Sequence, residues 1–200
     1  MSRRPRLDRE AVVQAAVDLL DSEGVGSLSL GRLAERLGVQ TPSLYNHVEG
    51  MPGLVRLLAL RNARDLAACI GEAAIGKSGP AALLAVAEAY RDYIKHHPGL
   101  YMASLRASGA QAQGGTPVDA ELAAAEERVV RIVLTVLASF GLTGEDAIHA
   151  VRGLRSVVHG FATLEIASGF GLPLDCDESF QRLLAILTRG LVNESVANSL

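Results

Sequence analysis

Apolar residues recur along the chain three or four positions apart, in blocks closed by glycine, proline or short polar runs, and no stretch shows the one-in-two alternation of a half-exposed strand. The first block places Val12, Ala15, Ala16 and Leu19 on one helical face. Asp8 stands where it can cap the free N–H groups, Leu7 and Val12 stand at staple positions, and Gly24 offers a left-handed stop. The punctuation then repeats. Ser29 can cap a second helix carrying Leu33, Ala34 and Leu37, and Gly38 ends it. Thr41 and Pro42 open a third, with Thr41 as the cap and proline in the first turn, where its missing N–H costs nothing. Gly50 and Pro52 hold this third helix to about two turns and start a fourth over about 52–74. Breaks at 76–80, 108–117 and 169–177 divide the remainder into helices over 81–97, about 99–107, 119–140, 144–168 and 178–196, with SGAQAQGGTP expected to be a loop. The pattern predicts an all-α fold of about nine helices: three short ones at the N-terminus, then a larger helical bundle.

Composition narrows the function. Apolar residues make up 49% of the 200, enough for a sizeable core. No apolar run reaches the roughly 18 residues of a membrane span, and MSRRPRLDRE lacks the apolar centre of a signal peptide, so a cytoplasmic protein with no membrane partner is expected. Cys69 and Cys176 read as two packed thiols, His96 and His97 are neighbours rather than a metal-binding pair, and no acid joins them at ligand spacing. With no strand to carry a catalytic triad, a Walker loop or a dinucleotide fingerprint, the chain reads as a non-enzyme needing no metal and no cofactor. Net charge is −3, but residues 1–65 hold nine Arg against eight acids and residues 66–200 ten basic groups against fourteen acids. The positive end is N-terminal, with Arg3, Arg4, Arg6 and Arg9 in the first ten residues. Arginine outnumbers lysine 17 to 2, the composition of a GC-rich bacterial genome.

The stretch GVQTPSLYNHVEG joins the second and third helices. Two short helices linked by a tight Gly-Val-Gln turn form a helix-turn-helix, whose second helix fits the major groove of DNA. If Leu44 and Val48 face the core, then Thr41, Pro42, Ser43, Tyr45, Asn46 and His47 face outward. Hydroxyls suit phosphates, an amide such as Asn46 can pair bidentately with adenine, and Tyr45 or His47 can donate to phosphate. From these residues alone, an ordinary αα-turn with a solvated polar face fits equally well.

The run LSLGRLAERLGVQTPSLYNHVEGMPGL resembles the DNA-binding domain of the tetracycline-repressor-like (TetR) family, in its Gly-Val turn, its Thr-Pro-Ser-Leu-Tyr-x-His core and the apolar start of the fourth helix. The resemblance covers about residues 7–65. It implies a ligand-responsive transcriptional regulator, most simply a repressor that binds a palindromic double-stranded DNA operator as a homodimer and is released by a small-molecule effector. Carried over by position, the DNA-contacting places fall on Ser29, Gln40, Thr41, Pro42, Ser43, Tyr45, Asn46 and His47. Two positions depart from the family: Gly31 and Met51 stand where relatives often have a basic or hydroxyl residue and a lysine. Arg32, or an N-terminal arm of Arg3, Arg4 and Arg6, would have to supply the missing phosphate contacts. An alternative is a helical small-molecule-binding protein that no longer reads DNA.

Residues 159–191 resemble, more loosely, the C-terminal domain of a subgroup marked by a Trp-His-Gly motif, with Val158 in place of the tryptophan. The domain division expected is 1–50 for the helix-turn-helix and 51–200 for effector binding and dimerisation, connected by the fourth helix. The resemblance implies that the last two helices pair with their mates, which assigns the stripes Val151, Leu154, Val158 and Phe180, Leu183, Leu187, Leu191 to a dimer interface. An effector cavity would draw on Tyr90, Tyr93 and His97, on Met102, and on Arg155 and His159 of the eighth helix. A core with satisfied polar tips would show the same pattern.

Overall fold

A computed structural model describes residues 7–113 and 119–197. Among these, the chain forms nine α-helices and one 3-10 turn, and no strand. The helices are α1 (Arg9–Glu23), α2 (Leu30–Leu37), α3 (Thr41–Leu44), α4 (Gly50–Ala74), α5 (Gly79–His96), α6 (Pro98–Gln113), α7 (Ala120–Ala138), α8 (Gly144–Ile166) and α9 (Cys176–Ala197), with the 3-10 turn at Val25–Ser27. None is long and apolar enough to cross a membrane.

The chain divides into two compact units, residues 1–63 with 96–123, and residues 64–95 with 124–200. The division falls inside α4 and returns α6 and the start of α7 to the N-terminal unit, where a single cut near residue 50 was expected. The reason lies at the end of α1. The Asp21 carboxylate accepts the Gly99 and Leu100 N–H groups at 2.9 and 3.0 Å, and lies 2.9 Å from His97 Nδ1. A side chain of the first helix thus satisfies orphan donors at the N-terminus of the sixth. Gly99 permits this approach, because a Cβ there would sit 2.0 Å from the Leu20 carbonyl oxygen. Leu100 and Ala103 complete the core of the unit beside Val12, Ala16, Leu20, Leu33, Leu44 and Leu58.

Several boundaries differ from those expected, and the third helix, expected to run about two turns, has only four residues. Residues 108–113 continue α6, since Ala and Gln are adequate helix formers and one Gly is tolerated. At α3 the cap position belongs to Gln40, which makes no side-chain cap bond, and Thr41 is already helical.

In the second unit the organising feature is Arg91, 5% exposed. Its guanidinium donates to both oxygens of Glu165 at 2.8 and 2.7 Å and pairs with Asp177 at 2.8 Å. Phe161 and Phe180 lie against it, their ring centroids 5.3 and 4.9 Å from Cζ. Lys95 also reaches Glu165, at 2.7 Å, so α5, α8 and the first turn of α9 are joined by one ionic and aromatic cluster. Burial pushes the Glu165 carboxyl upward, but hydrogen bonds from Arg91 and Lys95 more than offset that and hold it below the usual carboxylate value.

Candidate nucleic-acid interface

The helix-turn-helix is built by local chemistry. Asp8 accepts the Ala11 N–H at 2.8 Å, and Ser29 accepts that of Arg32 at 3.3 Å, which starts α1 and α2 where capping residues predict. Gly38 adopts φ 65° and ψ 33° at the end of α2, while Val39 N–H bonds to Ala34 and Gly38 N–H to Glu35. This Schellman turn directs the chain into α3. Leu44, fully buried, and Val48, 3% exposed, hold the third helix and its following turn on the core. One four-residue spacing therefore fixes which side chains remain outside.

Those outside are the ones a groove reader needs. Tyr45 is 60% exposed, Gln40, Pro42 and Asn46 are exposed, and Thr41, Ser43 and His47 are half-buried with their edges at the surface. The regular helix stops at Leu44, and Tyr45 to Val48 continue as turns held by His47 N–H and Val48 N–H, both donating to the Leu44 carbonyl. Ser29 is exposed, with its hydroxyl committed to the cap. Arg32 is not a free phosphate ligand: its guanidinium is paired with Glu23, which Arg36 also approaches at 3.8 Å. Arg3, Arg4 and Arg6 lie outside the described residues. A contact that helical periodicity did not indicate joins Arg9 Nε to the main-chain carbonyl of His47, at 3.3 Å across 38 residues.

The residues assigned to an effector separate between the units. His97 and Met102 belong to the N-terminal unit and Tyr90, Tyr93, Arg155 and His159 to the second. His97 stands beyond the last residue of α5 and is engaged by Asp21, so it does not extend the apolar face of that helix as its spacing suggested. Tyr90 and Tyr93 are buried, Arg155 is exposed and Met102 is half-buried. His159 is half-buried, and burial, with the nearby Arg155 charge, pushes its imidazole below the ordinary histidine value. It is therefore neutral at physiological pH, able to donate and to accept. A groove of about 540 Å³ along α7, lined by Ala124, Arg128, Arg131, Ile132 and Thr135, contains none of these residues.

The stripes assigned to a dimer interface require correction. Leu154, Val158, Phe180 and Leu191 are buried within the chain, Phe180 as a wall of the Arg91 cluster, and are not available to a second copy. Val151, Leu183 and Leu187 are half-buried. The large apolar side chains left exposed on α8 and α9 are Ile148, Leu164, Ile166, Ile186 and Val192, with Phe170, Leu172 and Leu174 in the loop between. Each helix is apolar on more than one side, so periodicity alone could not tell inward from outward. Among the described residues no cluster of His, Cys, Asp and Glu could hold a metal ion.

The family model described as "Tetracyclin repressor-like, C-terminal domain" matches residues 83–187. Over 191 residues the chain is 37% identical to the uncharacterized HTH-type transcriptional regulator Rv0681 of Mycobacterium tuberculosis, covering 96% of this chain and 84% of that one. It is 33% identical over 193 residues to the uncharacterized HTH-type transcriptional regulator YobS of Bacillus subtilis, covering 96% of each. Its fold is similar to that of a TetR variant from Acinetobacter baumannii AYE in complex with minocycline, with a TM-score of 0.66 at 23% identity over 95% of this chain and 99% of that one. The Trp-His-Gly subgroup finds no support among these matches.

Proposed function

Because the chain belongs to the tetracycline-repressor-like family of transcriptional regulators, we propose that it acts as a homodimeric repressor, binding a palindromic operator in double-stranded DNA and leaving it when a small-molecule effector binds. The observation that carries this reading is the outward presentation of Gln40, Pro42, Tyr45 and Asn46 over a core sealed by Leu44. A merely solvated turn has no use for a tyrosine 60% exposed beside an amide and a proline-opened helix, whereas a major-groove reader does. Asn46 and Gln40 are assigned to base edges, and Thr41, Ser43, Tyr45 and His47 to phosphates and the sugar backbone.

Two copies are needed because a four-residue helix contacts too few bases to select a site, and a palindrome requires a two-fold axis. The exposed apolar side chains of α8 and α9, Ile148, Ile186 and Val192 among them, support pairing through these two helices. Tyr90, Tyr93, Arg155 and His159 are the effector candidates of the second unit, and minocycline in the Acinetobacter structure makes a small polar polycyclic molecule a reasonable first class to screen. Helix α4 contributes residues to both units, so a shift in it is the simplest way for an effector to alter the separation of the recognition helices. The protein is assigned to the bacterial cytoplasm on this reading.

The test is a titration of the full chain against its own upstream region and a scrambled duplex at several ionic strengths. Sequence-selective binding that weakens steeply with salt is expected. Equal, feeble affinity for both duplexes would overturn the reading in favour of a ligand-binding protein that no longer reads DNA.

A further inference from the structure

The arginines of the N-terminal unit do not stand alike. Arg32 and Arg36 converge on Glu23. Arg61 pairs with Glu10 at 2.7 Å, and Arg56 is held by Asp119 and Glu121. Each of these charges is answered inside the chain. Arg9 differs. It is exposed, its Nε donates to the His47 carbonyl at 3.3 Å, and among the described residues no carboxylate lies within ion-pairing distance of it. A carbonyl carries no net charge and occupies one donor of five, so the two terminal nitrogens keep their donors and the group its full charge.

The position is the telling part. His47 closes the turn that presents Tyr45 and Asn46, so the guanidinium is held at the edge of the surface assigned to the duplex. A planar fork oriented by one hydrogen bond matches the oxygens of a phosphate diester and loses less freedom on binding than an unanchored side chain does. Gly31 and Met51 bring no cation to this surface, and Arg32 is already engaged by Glu23. We propose that Arg9 is a phosphate anchor of the DNA interface, its guanidinium oriented by the His47 carbonyl to bind a backbone phosphate beside the bases read from α3. The inference rests on the DNA-binding reading above.

The experiment uses a duplex that the wild-type full chain enriches from a randomised pool, with a scrambled duplex of equal length as the reference. Affinities are measured by fluorescence anisotropy from about 50 to about 200 mM salt. Arg9→Ala and Arg9→Gln should weaken binding to both duplexes by a similar factor, about tenfold, as the loss of a charged hydrogen bond does. They should also flatten the logarithmic salt dependence by about 0.9, the signature of one phosphate contact. Arg9→Lys should keep the wild-type salt dependence, because the charge remains. If Arg9→Ala does not fold, the Gln and Lys pair still separates charge from shape. An unchanged salt dependence in Arg9→Gln, or a loss confined to the enriched duplex, would overturn the proposal, since either result makes Arg9 a support for His47. A pool from which the wild type enriches nothing overturns the DNA-binding reading itself, a result separate from any difference among the variants.

Discussion

Neighbouring residues in the recognition turn do opposite work. Leu44 is fully buried and fixes the turn, whereas Tyr45 is 60% exposed and touches little of the protein. Leu44→Ala should therefore cost about 2–5 kcal/mol of stability, read as a fall in melting temperature, and reduce DNA binding only through the unfolded fraction. Tyr45→Ala should leave the melting temperature almost unchanged and lower operator affinity at every ionic strength. The reverse assignment of effects would place the reading surface elsewhere. This division was legible in the sequence, because one four-residue spacing, Leu44 to Val48, settles the orientation of so short a segment. The contact of Arg9 with His47 was not legible: a bond from a side chain to a carbonyl 38 residues away leaves no mark on periodicity or composition.

Among the elements, α8 carries the clearest electrostatic consequences. Replacing Arg91 by methionine leaves Glu165 in its site with Lys95 alone, and should destabilise the chain by about 3–5 kcal/mol, measured by urea unfolding. Replacing Arg91 by Met and Glu165 by Leu together should recover much of that loss, since no charge is then stranded. The pH dependence follows from the same helix. His159 has a lowered value in the fold, so the unfolded chain takes up a proton first, and stability falls as pH drops below the ordinary histidine value of 6.5. Glu165 is also lowered, so its contribution is complete above 4.5 and is lost as pH falls through its folded value. Urea unfolding between neutral pH and acid should thus weaken in two stages, and His159→Gln should remove only the upper one. A single stage at low pH in both proteins would contradict this. The helices themselves were readable from apolar spacing and caps, but the cluster was not. Arg91 lies 74 residues from Glu165, and nothing local distinguishes a buried arginine from a solvated one.

Taken whole, the molecule carries a net charge of −3, and on the proposed reading it still suits DNA because, among the described arginines of the N-terminal unit, Arg9 stands without a carboxylate partner beside the surface assigned to the duplex. The proposed pairing draws on apolar side chains that the single chain does not cover. Ile186 is 59% exposed on α9, so Ile186→Glu should cost little stability in the protomer but shift sedimentation from two copies to one and weaken operator binding with it. A variant that still sediments as a pair would move the interface off this face. Here sequence reasoning could not tell which apolar residues of α8 and α9 the chain buries within itself, since both helices carry more of them than one face can hold and only the packed chain shows which are spent internally.

The close approach at Gly99 carries a constraint of its own. A methyl group there would lie 2.0 Å from the Leu20 oxygen, main chain against main chain, with no flexible tip to bend away. In a library randomised at this single codon and sorted for correctly folded protein, glycine alone should survive. The first and sixth helices would then be held in register as much by the genetic exclusion of nineteen side chains as by the bond from the Gly99 N–H to Asp21.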